Sequence, residues 1–281
     1  MAQRTQVLKD GLVFPECPRW HQDRLWFSNI HAHRVMSIDM LGNSETIVEV
    51  PTQPTGLGWL PDDRLLLVSA TDRRLLRLEP DGLVEHADLW ELASSHCNDM
   101  VVDRLGRAYV GNFGFDFLSN EPFAPGEIVL VNPDGAARVA AEGLAFPNGS
   151  VITPDGRMLV VAETLASRLT AYDIEPDGSL SGRRVWAEVD ELMPDGICLD
   201  AEGAIWIASP LGGEVLRVRE GGKIEETVKV STQAYACMLG GPDRRTLFVL
   251  TAETLDPDEA RAKRSGHIET LRVEVPGAGL P

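Results

Sequence analysis

Short apolar runs recur along the chain, separated by clusters of Pro, Asp, Asn and Gly. Four of them open alike: "FPECPRW" (14–20), "HCNDMVVD" (96–103), "FPNGSVIT" (146–153) and "MPDGICLD" (193–200). Each sets a carboxylate or carboxamide one step ahead of the apolar stretch, at Glu16, Asn98, Asn148 and Asp195. With Thr55 and Cys237 as the corresponding anchors elsewhere, the chain divides into six units at intervals of 39, 43, 50, 47 and 42 residues. Within a unit the order is anchor, apolar strand, polar turn, second strand, loop, third strand. Third strands such as "RLLRLEPDG" (74–82) and "GEVLRVREGG" (213–222) close on turns whose glycines supply positive φ. Strands this short, with a turn every few residues and no sustained helical period, predict an all-β fold. Four strands per unit at this repeat length predict a six-bladed β-propeller, expected as a single domain spanning 1–281. The last unit lacks its fourth strand. The opening segment "RTQVLKDG" (4–11) precedes the first anchor and is expected to supply it, covering an edge that would otherwise stay open.

In such a meander the anchors share a face with the loops between second and third strands. That face should therefore carry "NIHAH" (29–33), "GNFGFDFLSNEPFAPG" (111–126), "ETLAS" (163–167), "SPLGG" (209–213) and "TAETLDPDEARAKRS" (251–265). The two long ones read as binding loops or lids. Innermost strands line a propeller's channel, so Glu16, Asn98, Asn148 and Asp195 should converge at its mouth. Two carboxylates and two amide carbonyls are hard oxygen donors, suited to calcium, magnesium or manganese rather than to a thiolate site. Asn or Asp ahead of Gly also starts turns. Glu16, set between Pro15 and Pro18, has no such role.

The net charge of -17 across 281 residues argues against nucleic acid or an anionic membrane surface as partner. The start "MAQRTQVLKDGLVF" has no apolar core of signal-peptide length and no stretch approaches a membrane span, which points to the cytoplasm. The four cysteines, Cys17, Cys97, Cys198 and Cys237, are widely spaced without a CxxC pair, and read as reduced, buried packing residues. His31 and His33 read as a solvated loop, because no third ligand adjoins them. A G-x-S-x-G elbow is absent, so a Ser-His-Asp hydrolase is disfavoured.

Taken together, Glu16-Cys17-Pro18-Arg19-Trp20, "CND" with "DRLGRAYVGN", "PNGSVITPDGRMLVVAET" and "PDGICLDAEGAIWIA" resemble the senescence-marker-protein, gluconolactonase and regucalcin family over nearly the whole chain. The resemblance implies one divalent cation held by Glu16, Asn148 and Asp195, calcium first, then magnesium, manganese or zinc. It implies that Asn98 contacts substrate or water, that Asp195 doubles as general base, and that the reaction is metal-dependent hydrolysis of a small-molecule lactone or ester. A phosphotriesterase-like hydrolase and a non-catalytic calcium- or ligand-binding propeller are the rival readings. Two features depart from the sugar-lactonase pattern. His96 stands where relatives tend to carry an Arg, whose fork of donors suits a polyol. Phe113, Phe115 and Phe117 alternate through a Gly-rich loop as a pocket wall would, with Phe123 further along it. Phe14 and Phe146 read as packing. His96, Asn98, Phe113 and Phe115 are therefore the expected substrate contacts, to a substrate less polar than a sugar lactone.

Overall fold

The computed structural model describes residues 4–280; residues 1–3 and 281, part of the expected single-domain span, lie outside it. The alternating runs form six four-stranded antiparallel sheets, each one blade of a six-bladed β-propeller. Blade 1 consists of Pro15–His21, Arg24–Asn29, Arg34–Ile38 and Ser44–Glu49, counted outward. The innermost strands of blades 2 to 6 are Pro54–Trp59, Cys97–Val102, Pro147–Ile152, Ile197–Leu199 and Gln233–Gly240. Burial follows that order: Cys97–Val102 is buried at every position, whereas the outermost strand of the same blade, Ala137–Leu144, is mostly half-buried.

Apolar side chains from facing blades share clusters, which is what holds the ring together. Val35 and Val50 of blade 1 pack with Leu57, Leu65 and Leu67 of blade 2. Val151 and Val160 of blade 4 pack with Ile197, Ile205 and Ile207 of blade 5. Each such side chain contributes about 1.5–3 kcal/mol on full burial. All four cysteines are free and buried, one on the innermost strand of each of blades 1, 3, 5 and 6.

The ring closes as the sequence suggests. Gln6–Leu12 pairs antiparallel with Gly266–Arg272, Gln6 opposite Thr270 and Leu12 opposite Gly266, and forms the outermost strand of blade 6. Besides the 3₁₀ turns Ile30–Ala32 and Thr164–Ala166, two segments among the described residues depart from the strand pattern. A short α-helix, Pro257–Lys263, sits in the 251–265 loop, where Asp256 caps it by accepting from the N–H groups of Asp258 and Glu259. Beyond Arg272 the chain crosses the hairpin side of the ring. Gly277 N–H donates to Arg244 O (2.8 Å), Ala201 N–H to Pro276 O (2.8 Å) and Ala278 N–H to Leu199 O (2.9 Å). Leu280 then bridges Ile152 of blade 4. Among the described residues, no helix is long and apolar enough to cross a membrane.

Candidate active site

Five of the six anchor positions stand at breaks in the strand ladders, and Asp195 stands just before its strand, Ile197–Leu199. In the innermost strands the register shifts between Glu16 and Arg19, Pro54 and Leu57, Cys97 and Met100, Pro147 and Ser150, and Ala234 and Ala236. A bulge frees backbone groups from the ladder and re-aims a side chain. Here the freed groups bond to the next blade. Gly149 N–H donates to Asp195 O (3.2 Å) and Gly196 N–H to Tyr235 O (2.8 Å). Thr55 Oγ1 donates to Asn98 O (2.9 Å) and Ser28 Oγ to Thr55 O (2.6 Å). Where the residue after the anchor is glycine, as at Gly56, Gly149 and Gly196, it lies against the neighbouring inner strand and leaves no room for a side chain. A Cβ on Gly149 would come within 2.6 Å of Ile197 N, and one on Gly196 within 2.6 Å of Ala236 Cβ.

The cavity lining and the bulge correct the sixth anchor. It is Tyr235, between Ala234 and Ala236, and not Cys237. Cys237 is buried beside Cys198 (Sγ to Sγ 3.8 Å) and Trp206 O (3.4 Å), away from the cavity. The apolar run "ACMLGG" offered no polar residue by which to set the register.

Glu16, Thr55, Asn98, Asn148, Asp195 and Tyr235 form the floor of a cavity of about 470 Å³. Two residues earlier in each blade, Phe14, Gln53, His96, Phe146, Met193 and Gln233 form a second ring of the lining, as a period of two along extended chain requires. Above them the wall comes from all five loops assigned to this face, through Ile30, Phe113, Phe115, Phe117, Leu165, Leu211 and Leu255 among others. Glu16, Asn98, Asn148, Asp195, His96, Phe113 and Phe115 are thus brought together in one cavity. Gln53, Met193, Gln233 and Tyr235 were missed, although the two-residue offset from Thr55 and Asp195 would have found the first two; Gln233 follows only once Tyr235 is the anchor.

Two aromatic readings change. Phe14 and Phe146 line the cavity instead of merely packing beneath it. Phe113 stacks on Phe146 (centroids 4.6 Å apart), and Phe117 meets both edge-on at 5.2 and 5.3 Å. Phe123 lies mostly exposed, edge-on to Phe115. His31 is not a solvated loop residue. It is buried, stacks on Phe14 at 4.9 Å, and its Nε2, 3.1 Å from Leu255 O, donates to that carbonyl. Residues 30–32 form a 3₁₀ turn ending at His33 in the left-handed region, so the two imidazoles do not share one side of an extended segment.

The floor brings two buried carboxyls together with no cationic side chain beside them among the described residues. Burial, and next the charge of Asp195, push the Glu16 carboxyl well above its usual range. Burial raises Asp195 to about 8, opposed by a hydrogen bond from Asn148 and reinforced by Asp99. The nearby guanidinium of Arg19 is committed to Asp99 at 2.6 Å, and among the described residues no Lys or Arg lines the cavity. Asn98 Nδ2 donates to Pro147 O and Asn148 Nδ2 to Thr164 Oγ1, both at 3.2 Å. Their side-chain carbonyl oxygens take no hydrogen bond from the described residues. Among those residues no three His, Cys, Asp or Glu side chains cluster as a metal site, so a cation here would have to draw on the carboxamides. The donor set of two carboxylates and two amide oxygens, with no positive group beside it, fits a hard divalent ion.

Residues 14–253 match the family described as SMP-30/Gluconolactonase/LRE-like region. The chain belongs to that family. It is 31% identical to regucalcin of Danio rerio over 98% of this chain and 95% of the relative. It is 26% identical to 6-deoxy-6-sulfogluconolactonase of Pseudomonas putida, over 98% and 96%. Its fold is similar to that of a calcium-binding protein, regucalcin, from Agrobacterium tumefaciens, with a TM-score of 0.84 and 25% identity, covering 100% of this chain and 97% of that one.

Proposed function

We propose that this family member is a divalent-cation-dependent lactonase, acting on a small-molecule lactone or ester. The observation that carries the reading is the pair Glu16 and Asp195, buried at the floor of a cavity with no cation of their own. Membership of a family whose description includes gluconolactonase, and the names of relatives, support the reaction class. Glu16, Asn148 and Asp195 would hold the ion, calcium first in view of the calcium-binding neighbour. When bound, such an ion supplies Lewis acidity toward an ester carbonyl and toward water.

The chain's own residues do the rest. Asp195 accepts a proton as water adds to the carbonyl carbon, and returns it to the ring oxygen as the acyl C–O bond breaks, giving a hydroxy acid. Asn98, its amide nitrogen fixed on Pro147 O, presents its carbonyl oxygen to that water or to the substrate. The apolar walls exclude other water from the reacting groups. The test is turnover of γ-phenyl-γ-butyrolactone, followed by acid release, in chelated and calcium-restored protein. Activity should vanish on chelation and return with calcium, and Asp195→Asn should lower kcat by about a hundredfold or more, the usual worth of a general base. Equal rates with and without the ion, or an unimpaired Asp195→Asn, would overturn the reading.

A further inference from the structure

The polar groups above the floor are largely committed to the protein. Thr164 Oγ1 accepts from Asn148 and donates to Pro194 O at 2.8 Å. The Tyr235 hydroxyl donates to Gln233 Oε1, and His31 Nε2 to Leu255 O. Among the described residues this leaves Gln53, His96, the amide nitrogen of Gln233 and the buried Nδ1 of His31 without a protein partner. A sugar lactone brings a donor and an acceptor at every hydroxyl, and each one buried without a partner is penalised. Away from the floor, a carboxylated, sulfonated or phosphorylated arm would meet no Lys or Arg among the described lining residues.

The other side of the cavity offers a different surface. Phe113, Phe117 and Phe146 form one aromatic patch, with Phe115 at its edge, 6.1 Å from Phe146. Phe146 holds φ of 64°, a region in which a bulky side chain is unfavourable and Gly or Asn is at ease. Phe146 N–H to Leu144 O and Thr164 N–H to Phe146 O, both 3.1 Å, fix it there. The turn itself therefore gains nothing from a phenyl ring, and what the ring supplies is cavity wall. Non-glycine residues held this way concentrate at ligand sites.

From these placements we infer that the ligand is an uncharged lactone carrying an aryl or compact branched alkyl arm, seated against Phe113, Phe117 and Phe146. The inference rests on the lactonase reading for the lactone ring and on the cavity wall for the arm. A cavity of about 470 Å³ accommodates ring and arm together.

Binding separates the two. Calorimetry on the full chain loaded with calcium would use γ-phenyl-γ-butyrolactam, whose amide resists hydrolysis, against gluconolactam. The phenyl lactam should bind at least about tenfold more tightly, as burial of one apolar face implies. Phe146→Asn, which suits the backbone there, and Phe117→Ala, on the neighbouring loop, should each lose about tenfold for the phenyl lactam and cost gluconolactam far less. Gluconolactam binding as tightly, phenyl-lactam affinity indifferent to both substitutions, or no binding of either lactam would overturn the inference. If the phenyl lactam binds while its lactone is not hydrolysed, the inference stands and the lactonase reading falls. Hydrolysis without preference for the arm does the reverse.

Discussion

At the scale of single residues the decisive fact is that Glu16 and Asp195 are kept where their charges are disfavoured. Their raised pKa values fix the sign of a stability effect. In the folded, ion-free protein these carboxyls keep protons that the unfolded chain gives up near about pH 4. Stability should therefore fall as pH rises from there toward the folded value, about 8 for Asp195. A divalent ion takes the protons' place, and should stabilise more at pH 8 than at pH 5. Melting temperatures across that range, with chelator and with calcium, are the measurement. Asp195→Asn should flatten both curves, and a calcium increment independent of pH would contradict the account. The same residues were readable early. An acid between prolines cannot be a turn device, and three further anchors shared its register. Tyr235 was not readable, because its neighbours are all apolar and its position is set by a bulge that leaves no mark in composition.

At the scale of elements, the inner strands are joined by contacts that tolerate little change. Gly149→Ala would press a Cβ to 2.6 Å of Ile197 N and 2.7 Å of Asp195 O, both backbone atoms. The expected cost is about 3 kcal/mol, at the upper end for overpacking, read as a shift of the denaturation midpoint. A second joint is the buried pair of Arg19 in blade 1 and Asp99 in blade 3, 2.6 Å apart, where Arg19 also donates to Met100 O. Arg19→Ala leaves Asp99 as one more unpaired acid near the floor and should cost about 3–5 kcal/mol. Arg19→Met with Asp99→Leu should recover most of that loss, and a double variant as unstable as the single would argue against an electrostatic origin. The helix Pro257–Lys263 shows the limit of pattern reading. Two turns are too few to display a period, although Asp256 followed by Pro257 is the expected opening of a helix.

At the scale of the whole molecule, six units arranged in a ring were legible because the repeat is carried by turns and apolar runs, which composition shows directly. Closure by the opening segment followed from counting strands. The terminal crossing of blades 6, 5 and 4 did not, since its hydrogen bonds run through backbone atoms of "PGAGL" (276–280) that any sequence could offer. Deleting residues 1–9 removes the strand opposite Glu269 and Thr270. The shortened protein should melt well below the full chain or aggregate through the bared edge, as light scattering during a thermal scan would show. Equal melting without scattering would mean that the strand is dispensable. The four buried thiols give the ring one more use, as a clock. A bulky thiol reagent cannot reach Cys17, Cys97, Cys198 or Cys237 while the innermost strands stay covered, for none is more than 3% exposed. Labelling each in turn, with the other three replaced by Ala, would time the opening of four separate blades. One common rate would mean that the circle comes apart in a single event. A gradient of rates would name the blade at which it first parts.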